Sequence, residues 1–271
     1  MYNDNSLEQL SLVFVDVETT GLEPRQGDSI CEIGAVKCVE EGVVEEFHSL
    51  INPKRTIPPY ISQINNIFDE DVKDAPYFEE VAGTFFGFLN NSILCGYNVG
   101  FDLGFLNTEL ERIHYSLLNL PALDVLFMAR RTFTGLAHYN LGYIAQYFHL
   151  EIKKLHRAFE DALLTSKIYF LLKKELAKKG ISKIKEHLTL FGVQNEFFKN
   201  LQEPKALLIK ESIIAEVTLR ITCLSYHART TLVMKPRELV DRNGLSLVGV
   251  EAETQKTIIL PLNRLINIEI F

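Results

Sequence analysis

LVFVDVETTG, residues 12–21, decides how this chain reads. Leu12–Asp16 is a short apolar, β-rich run, the pattern of a buried strand. Residues two apart on a strand share a face. Asp16 and Glu18 therefore project together at the strand's end, while Val15 and Val17 point the other way. An isolated Asp-x-Glu is common and by itself usually marks a solvated strand end. Thr19-Thr20-Gly21 raises its weight, because glycine permits an unusual backbone turn and the neighbouring hydroxyls and amides can hold the end of a sugar.

Working outward, Ile30–Val39 and Val43–Ile51 read as two more strands joined by a turn at Glu40-Glu41-Gly42, and Pro53, Pro58 and Pro59 end the third. Tyr77–Leu89 has helical spacing behind Pro76. Ile93–Gly96 is a strand, a helix starts near Phe101 and runs through Leu110, and Ala122–Val125 is a last strand before helical stretches to Phe148. Ala158–Leu176 is a long helix. Three antiparallel strands followed by strands alternating with helices predict a mixed α/β sheet.

Two further acids stand out. Asp102 ends YNVGFD, and Asp161 ends HRAFED, five residues after His156. Each has an ordinary structural reading. Asp102 can cap a helix, and Asp161 near a helix N-terminus gains from the dipole. Taken together, one strand offers two acids and two helices offer one each. Four converging carboxylates repel, and one or more would stay protonated near neutral pH. Two Mg²⁺ or Mn²⁺ ions relieve this, since hard cations favour carboxylate oxygen. In such sites the ions lie about 3.5–4 Å apart and clamp the attacking and leaving oxygens of a phosphodiester. His156 belongs to a residue type that titrates at about 6.5 and can take a proton from water near neutral pH.

The 271 residues suit one large domain with a small one, or two modest ones. No run of 18 apolar residues occurs, so no membrane span is expected. MYNDNSLEQL lacks a basic start followed by an apolar stretch, so no signal peptide is expected. Cys31, Cys38, Cys95 and Cys223 are scattered, which fits a reducing cytoplasm rather than a disulfide or zinc framework. The net charge of −7 argues against coating nucleic acid by bulk charge. Residues 1–175 carry 14 basic against 25 acidic side chains, and residues 176–271 carry 14 against 10. The basic half could add contact to phosphates, or be ordinary surface variation.

The three acidic segments, VDVETTGL, YNVGFDLGFL and HRAFEDAL, resemble in order those of the DEDDh exonucleases, the DnaQ-like group that includes the epsilon proofreading subunit of bacterial replicative polymerases. Asp16, Glu18, Asp102 and Asp161 fall on the family's metal-binding acids, and His156 on its catalytic histidine. The sister group has tyrosine four residues before the last acid, where this chain has Arg157. Glu32-Ile33-Gly34, Asn52-Pro53 and Asp124 also fit. The resemblance implies a ribonuclease H-like mixed sheet with flanking helices, two Mg²⁺ or Mn²⁺ ions, and removal of nucleotides from 3′ ends as monophosphates. It further implies that Thr19, Thr20 and Gly21 line the terminal-nucleotide pocket, supported by Asn98 and Phe101. Lys153, Lys154 and Arg157 are candidates for meeting phosphates, with a solvated basic loop as the alternative.

Lys173–Lys185 is lysine-rich and leads through short helices to Glu203-Pro204. Ile213–Leu224, Thr230–Met234, Ser246–Val250 and Thr257–Leu260 then read as strands, with a tight turn at Asp241–Gly244. Tyr226, Arg229, Pro236, Arg242-Asn243-Gly244, Gly249 and Leu262-Asn263-Arg264 resemble a WYL domain, although Leu245-Ser246-Leu247 replaces the name-giving tripeptide. That resemblance implies a small Sm-like β-barrel, with Arg229, Arg242 and Arg264 as ligand contacts and Phe271 completing its core. A packing or oligomerisation module is the alternative. The expected domains are 8–175 for the exonuclease, 176–205 for a helical linker and 206–271 for the WYL-like unit. The expected substrate is the 3′ end of single-stranded or frayed DNA, ahead of RNA. The expected partner is a polymerase or another repair protein. The same chemistry on RNA, or a non-catalytic sensor of nucleic acid or ligand acting through the C-terminal unit, are the alternatives.

Overall fold

The computed structural model describes residue 7 and residues 9–116, 118–153, 155–193, 196–224, 229–241 and 244–271, with backbone alone for 196–204. The chain divides into two compact units, Gln9–Leu172 and a second containing Lys173–Phe271.

The first unit is built on a sheet of β1 (Ser11–Thr19), β2 (Ile30–Val39), β3 (Gly42–Leu50), β4 (Ser92–Gly96) and β5 (Ala122–Asp124). Its order is β3-β2-β1-β4-β5. The first three strands are antiparallel, whereas β4 pairs parallel to β1 and β5 parallel to β4. This is the mixed α/β sheet that the alternation of strand and helix patterns implied. Around it lie α1 (Pro59–Asn65), α2 (Asp69–Val72), α3 (Phe78–Leu89), α4 (Val99–Arg112), α5 (Val125–Thr132), α6 (Leu141–Tyr147) and α7 (Ala158–Lys178). Aromatic rings take part in the largely aliphatic core: Phe14 of β1 packs on Tyr169 and Phe170 of α7, with centroids 5.4 and 6.0 Å apart.

Two departures from the sequence reading matter for the site. The prolines that end β3 also open a helix, because Pro59 stands in the first turn of α1, where a missing N–H costs nothing. Asn66 ends α1 in the left-handed conformation, with φ of 61°. And α4 begins at Val99, ahead of Phe101, so Asp102 lies inside the helix rather than capping it.

The second unit contains α8 (Ile184–Phe191), α9 (Glu196–Ile214), β6 (Leu219–Leu224), β7 (Arg229–Asp241), β8 (Leu245–Glu251), β9 (Thr257–Pro261) and β10 (Leu265–Ile270). All strand pairs are antiparallel, in the order β10-β6-β7-β8-β9. Among the described residues β9 and β10 do not pair, so the sheet is open where a barrel was expected. A helix covers the face that closure would otherwise shield: Ile209 of α9 joins Leu219, Ile221, Met234, Leu247, Leu262 and Leu265 in one buried cluster. The strand expected from Ile213 starts at Leu219, because α9 runs through Glu203-Pro204 to Ile214. Phe271 does not fill a core. It is 63% exposed, with the Arg220 guanidinium over its ring. Among the described residues no helix is long and apolar enough to cross a membrane.

Candidate active site

The end of β1 sets the site. Its parallel ladder with β4 stops at Phe14 opposite Cys95. Beyond that point the Val17 N–H is released from β4 and donates to Asp102 Oδ1 at 3.0 Å. A backbone group freed by the shorter strand thus anchors an acid from the first turn of α4. Asp102 is 2% exposed. The cap position before α4 belongs to Asn98, whose φ of 70° turns the chain and whose side chain makes no cap bond. The Asn98 N–H donates to Asp124 Oδ1 at 3.3 Å, and the same carboxylate oxygen caps α5 through the Phe127 N–H.

The start of α7 brings the other two residues. His156 is exposed on the loop before the helix, in the left-handed conformation with φ of 60°. Its N–H donates to Asp161 Oδ2 at 3.1 Å, which folds the loop back over the helix. Ligand atoms of Glu18, His156 and Asp161 all lie within 4.8 Å of one another. Asp161 Oδ1 is buried without a hydrogen-bond partner among the described residues.

Electrostatics divides the acids into two classes. Asp16 is pushed well above the ordinary carboxylate range by desolvation and by Asp102, Glu18, Asp161 and Glu32. Glu18 is raised to about 8, first by desolvation and then by Asp161 and Glu32. Desolvation likewise lifts Asp102 well up and Asp161 to about 6. These four carboxylates lack enough cationic or donor groups to hold their charge.

Glu32 is the exception. Burial pushes it up, but bonds from Arg157, His48 and the Ala158 N–H outweigh burial and hold it below its ordinary value. Arg157, a candidate phosphate contact on sequence, is instead bonded to Glu32: Nε lies 3.1 Å from both carboxylate oxygens and Nη2 2.6 Å from Oε1. Gly34, two residues on and therefore on the same strand face, makes room for this approach. A Cβ there would collide with the backbone of Ala158 and Phe159.

Thr19 and Thr20 are buried and their hydroxyls serve the loop itself. Thr19 donates to the Gly21 carbonyl at 2.6 Å, and Thr20 to Asp28 at 3.4 Å while accepting from the Ser29 N–H at 3.0 Å. Gly21 lets the Asp28 carboxylate lie against the backbone, in space a Cβ would need. Phe101 is half-buried, tilted against Phe105 at 4.9 Å. Lys153 is exposed, and Lys154 lies outside the described residues. In the second unit Arg229 is tied to Glu186 at 2.6 Å and to the Gly180 carbonyl at 3.0 Å. Arg264 sits half-buried in the turn before β10. Arg242 and Tyr226 lie outside the described residues. Sequence reading gave Glu32 no role. The spacing of Glu32 and Gly34, two apart on β2 as Asp16 and Glu18 are on β1, was the available signal.

The chain is 39% identical over 170 residues to the DNA polymerase III subunit epsilon of Rickettsia felis, covering 60% of this chain and 74% of that protein. It is 29% identical over 247 residues to the 3′-5′ exonuclease DinG of Bacillus subtilis, 91% of this chain and 26% of that protein. It is 34% identical over 184 residues to the PolC-type DNA polymerase III of Caldanaerobacter subterraneus, 68% of this chain but only 13% of that protein. Among solved structures, the Escherichia coli ExoI–ssDNA complex superposes with a TM-score of 0.60 at 17% identity, over 89% of this chain and 54% of that one. The RNase_T family, described as exonuclease, matches residues 13–169, and the chain belongs to that family.

Proposed function

We propose that this protein is a metal-dependent 3′–5′ exonuclease that hydrolyses phosphodiester bonds at the 3′ ends of single-stranded or frayed DNA and releases nucleoside monophosphates. The observation that carries this reading is that ligand atoms of Glu18 and Asp161 lie within 4.8 Å of each other, beside the under-neutralised Asp16 and Asp102, with one oxygen of Asp161 buried and unpartnered among the described residues. Such a donor set, all oxygen and short of positive charge, fits hard divalent cations. Asp16, Glu18, Asp102 and Asp161 would hold two Mg²⁺ or Mn²⁺ ions. When bound, the ions supply Lewis-acid stabilisation of charge on the phosphate oxygens.

The chain's own groups do the rest. His156, exposed and next to Glu18 and Asp161, accepts the proton of the attacking water at a ring nitrogen. Asp161 fixes the His156 backbone, and Val17 fixes Asp102. The loop from Thr19 to Gly21, closed on itself through Asp28 and Ser29, receives the terminal nucleotide, with Asn98 and Phe101 beside it. Residues 8–175 are the proposed catalytic domain, in a cytoplasmic protein.

DNA is favoured because two of the three relatives above are named for DNA polymerase III. Those names also support a polymerase or repair partner. For residues 206–271, joined by the 176–205 segment, a WYL-like ligand module is proposed from sequence features. Arg242 and Arg264 would be its contacts, and Arg229 would join them on release from Glu186.

The test is mononucleotide release from 3′-labelled oligonucleotides of matched DNA and RNA sequence with Mn²⁺. Release from DNA, faster than from RNA and lost in Asp16→Asn, is expected. No release from either, or full release by Asp16→Asn, contradicts the reading. Faster release from RNA moves the proposal to an exoribonuclease.

A further inference from the structure

We infer that Glu32 is a positioning residue for His156, acting through Arg157 as a clamp between β2 and the start of α7. The inference rests on the exonuclease reading and assigns it a residue outside the metal-holding set.

The argument begins with the loop. His156 is exposed, and its φ of 60° is a conformation that non-glycine residues rarely adopt. Such a residue keeps its place only when the surroundings over-determine it. Its own bond to Asp161 is local, spanning five residues. The long-range restraint falls on the next two residues. Arg157 meets Glu32 with Nε and Nη2, and the Ala158 N–H donates to Glu32 Oε2 at 2.9 Å. A guanidinium fork on a carboxylate fixes direction as well as distance.

Glu32 is itself held from behind. Its side chain is fully buried, and His48 Nε2 of β3 lies 2.7 Å from Oε1. Gly34, on the same face, admits the backbone of Ala158 and Phe159. The clamp thus joins β3, β2 and α7, while β1 carries Asp16 and Glu18 opposite Gly34 and Glu32. One ladder register sets both the acids and the segment that bears His156. With Arg157, His48 and Ala158 already on its two oxygens, Glu32 has little capacity left to bind a metal ion.

The test uses the full chain and the variants Glu32→Gln, Arg157→Lys and Arg157→Gln. In Glu32→Gln the neutral amide loses the fork. On 3′-labelled DNA with Mn²⁺, kcat should fall on the order of 10²-fold, the cost of misplacing a reacting group by about an ångström. KM and the Mn²⁺ dissociation constant should stay within about twofold of wild type, and Arg157→Lys should retain more kcat than Arg157→Gln. The double variant Glu32→Gln/Arg157→Gln should be no worse than the poorer single one, as two halves of one unit require. A kcat unchanged in folded Glu32→Gln, or additive losses in the double variant, would overturn the clamp.

A second readout does not depend on activity. Amide hydrogen exchange at Ala158 should quicken on the order of tenfold in Glu32→Gln, as loss of a hydrogen bond to a charged group implies. Unaltered exchange across 156–161 overturns the clamp even if the wild-type chain proves inactive. Conversely, an inactive wild-type chain with quickened exchange in the variant refutes the exonuclease reading and leaves the clamp standing. If Glu32→Gln does not fold, the Arg157 variants, on a partly exposed side chain, carry both readouts.

Discussion

Glu18 and Glu32 face each other across the β1–β2 ladder, yet Glu32 is bonded to Arg157, whereas Glu18 lies with His156 and Asp161, ligand atoms within 4.8 Å of one another. One register therefore holds one charged, satisfied acid and one whose value is raised to about 8. The difference separates a structural carboxylate from those that call for a cation.

The stability of the metal-free protein should fall as pH rises. Glu18 moves from 4.5 to about 8 and Asp161 from 3.8 to about 6 on folding. Between each pair of values the folded state binds more protons than the unfolded one. The stabilisation is complete below the unfolded values and is lost as pH climbs through the folded ones. Calorimetric melts in EDTA should show a lower Tm at pH 8 than at pH 5. Mn²⁺ should raise Tm more at pH 8 than at pH 5, because the ions then neutralise charges that already exist.

Asp16→Asn should separate stability from activity. Removing one of the crowded negative groups relieves repulsion, so Tm in EDTA at pH 8 should rise. The gain in Tm from Mn²⁺ should shrink, and kcat should fall on the order of 10²–10³-fold, the scale of losing one electrostatic stabiliser. Paired melts and nucleotide-release assays check both halves.

Gly34→Ala should damage the site without touching a polar group. The new Cβ would meet the backbone of Ala158 and Phe159, which cannot swing aside as a side-chain tip can. Overpacking of this kind costs about 1–3 kcal/mol. Urea unfolding should show that loss, and kcat should fall as α7 shifts with His156.

His156→Gln should lower kcat by about 10²–10⁴-fold, the usual contribution of a positioned base, while leaving KM near wild type. The side chain is exposed, so urea unfolding should give a stability close to wild type. Steady-state rates across pH should also lose the limb that proton uptake by a base produces.

The sheet and the four acids were legible because they depend on local patterns. Alternation placed Asp16 and Glu18 on one face, and the helical period placed Asp161 in α7. Long-range bonds left no such trace. Val17 and Asp102 are 85 residues apart, and Glu32 and Arg157 are 125 apart; neither bond has a local signature. Prolines 58 and 59 read as a strand stop, although Pro59 also suits a helix start. In the second unit, strand propensity at Ile213 and Ile214 lost to the cooperative extension of α9. The barrel was implied by the WYL resemblance alone, and the strand patterns read four strands where the sheet has five, β10 being passed over.

The central claim is that the gathered carboxylates hold divalent ions. A crystal of the full chain grown with Mn²⁺ and measured at the manganese edge tests it directly. Two anomalous peaks ligated by Asp16, Glu18, Asp102 and Asp161, with the free oxygen of Asp161 turned to one of them, is the expected result. Acids in their present places with no anomalous density among them, in a crystal soaked at millimolar Mn²⁺, would contradict it.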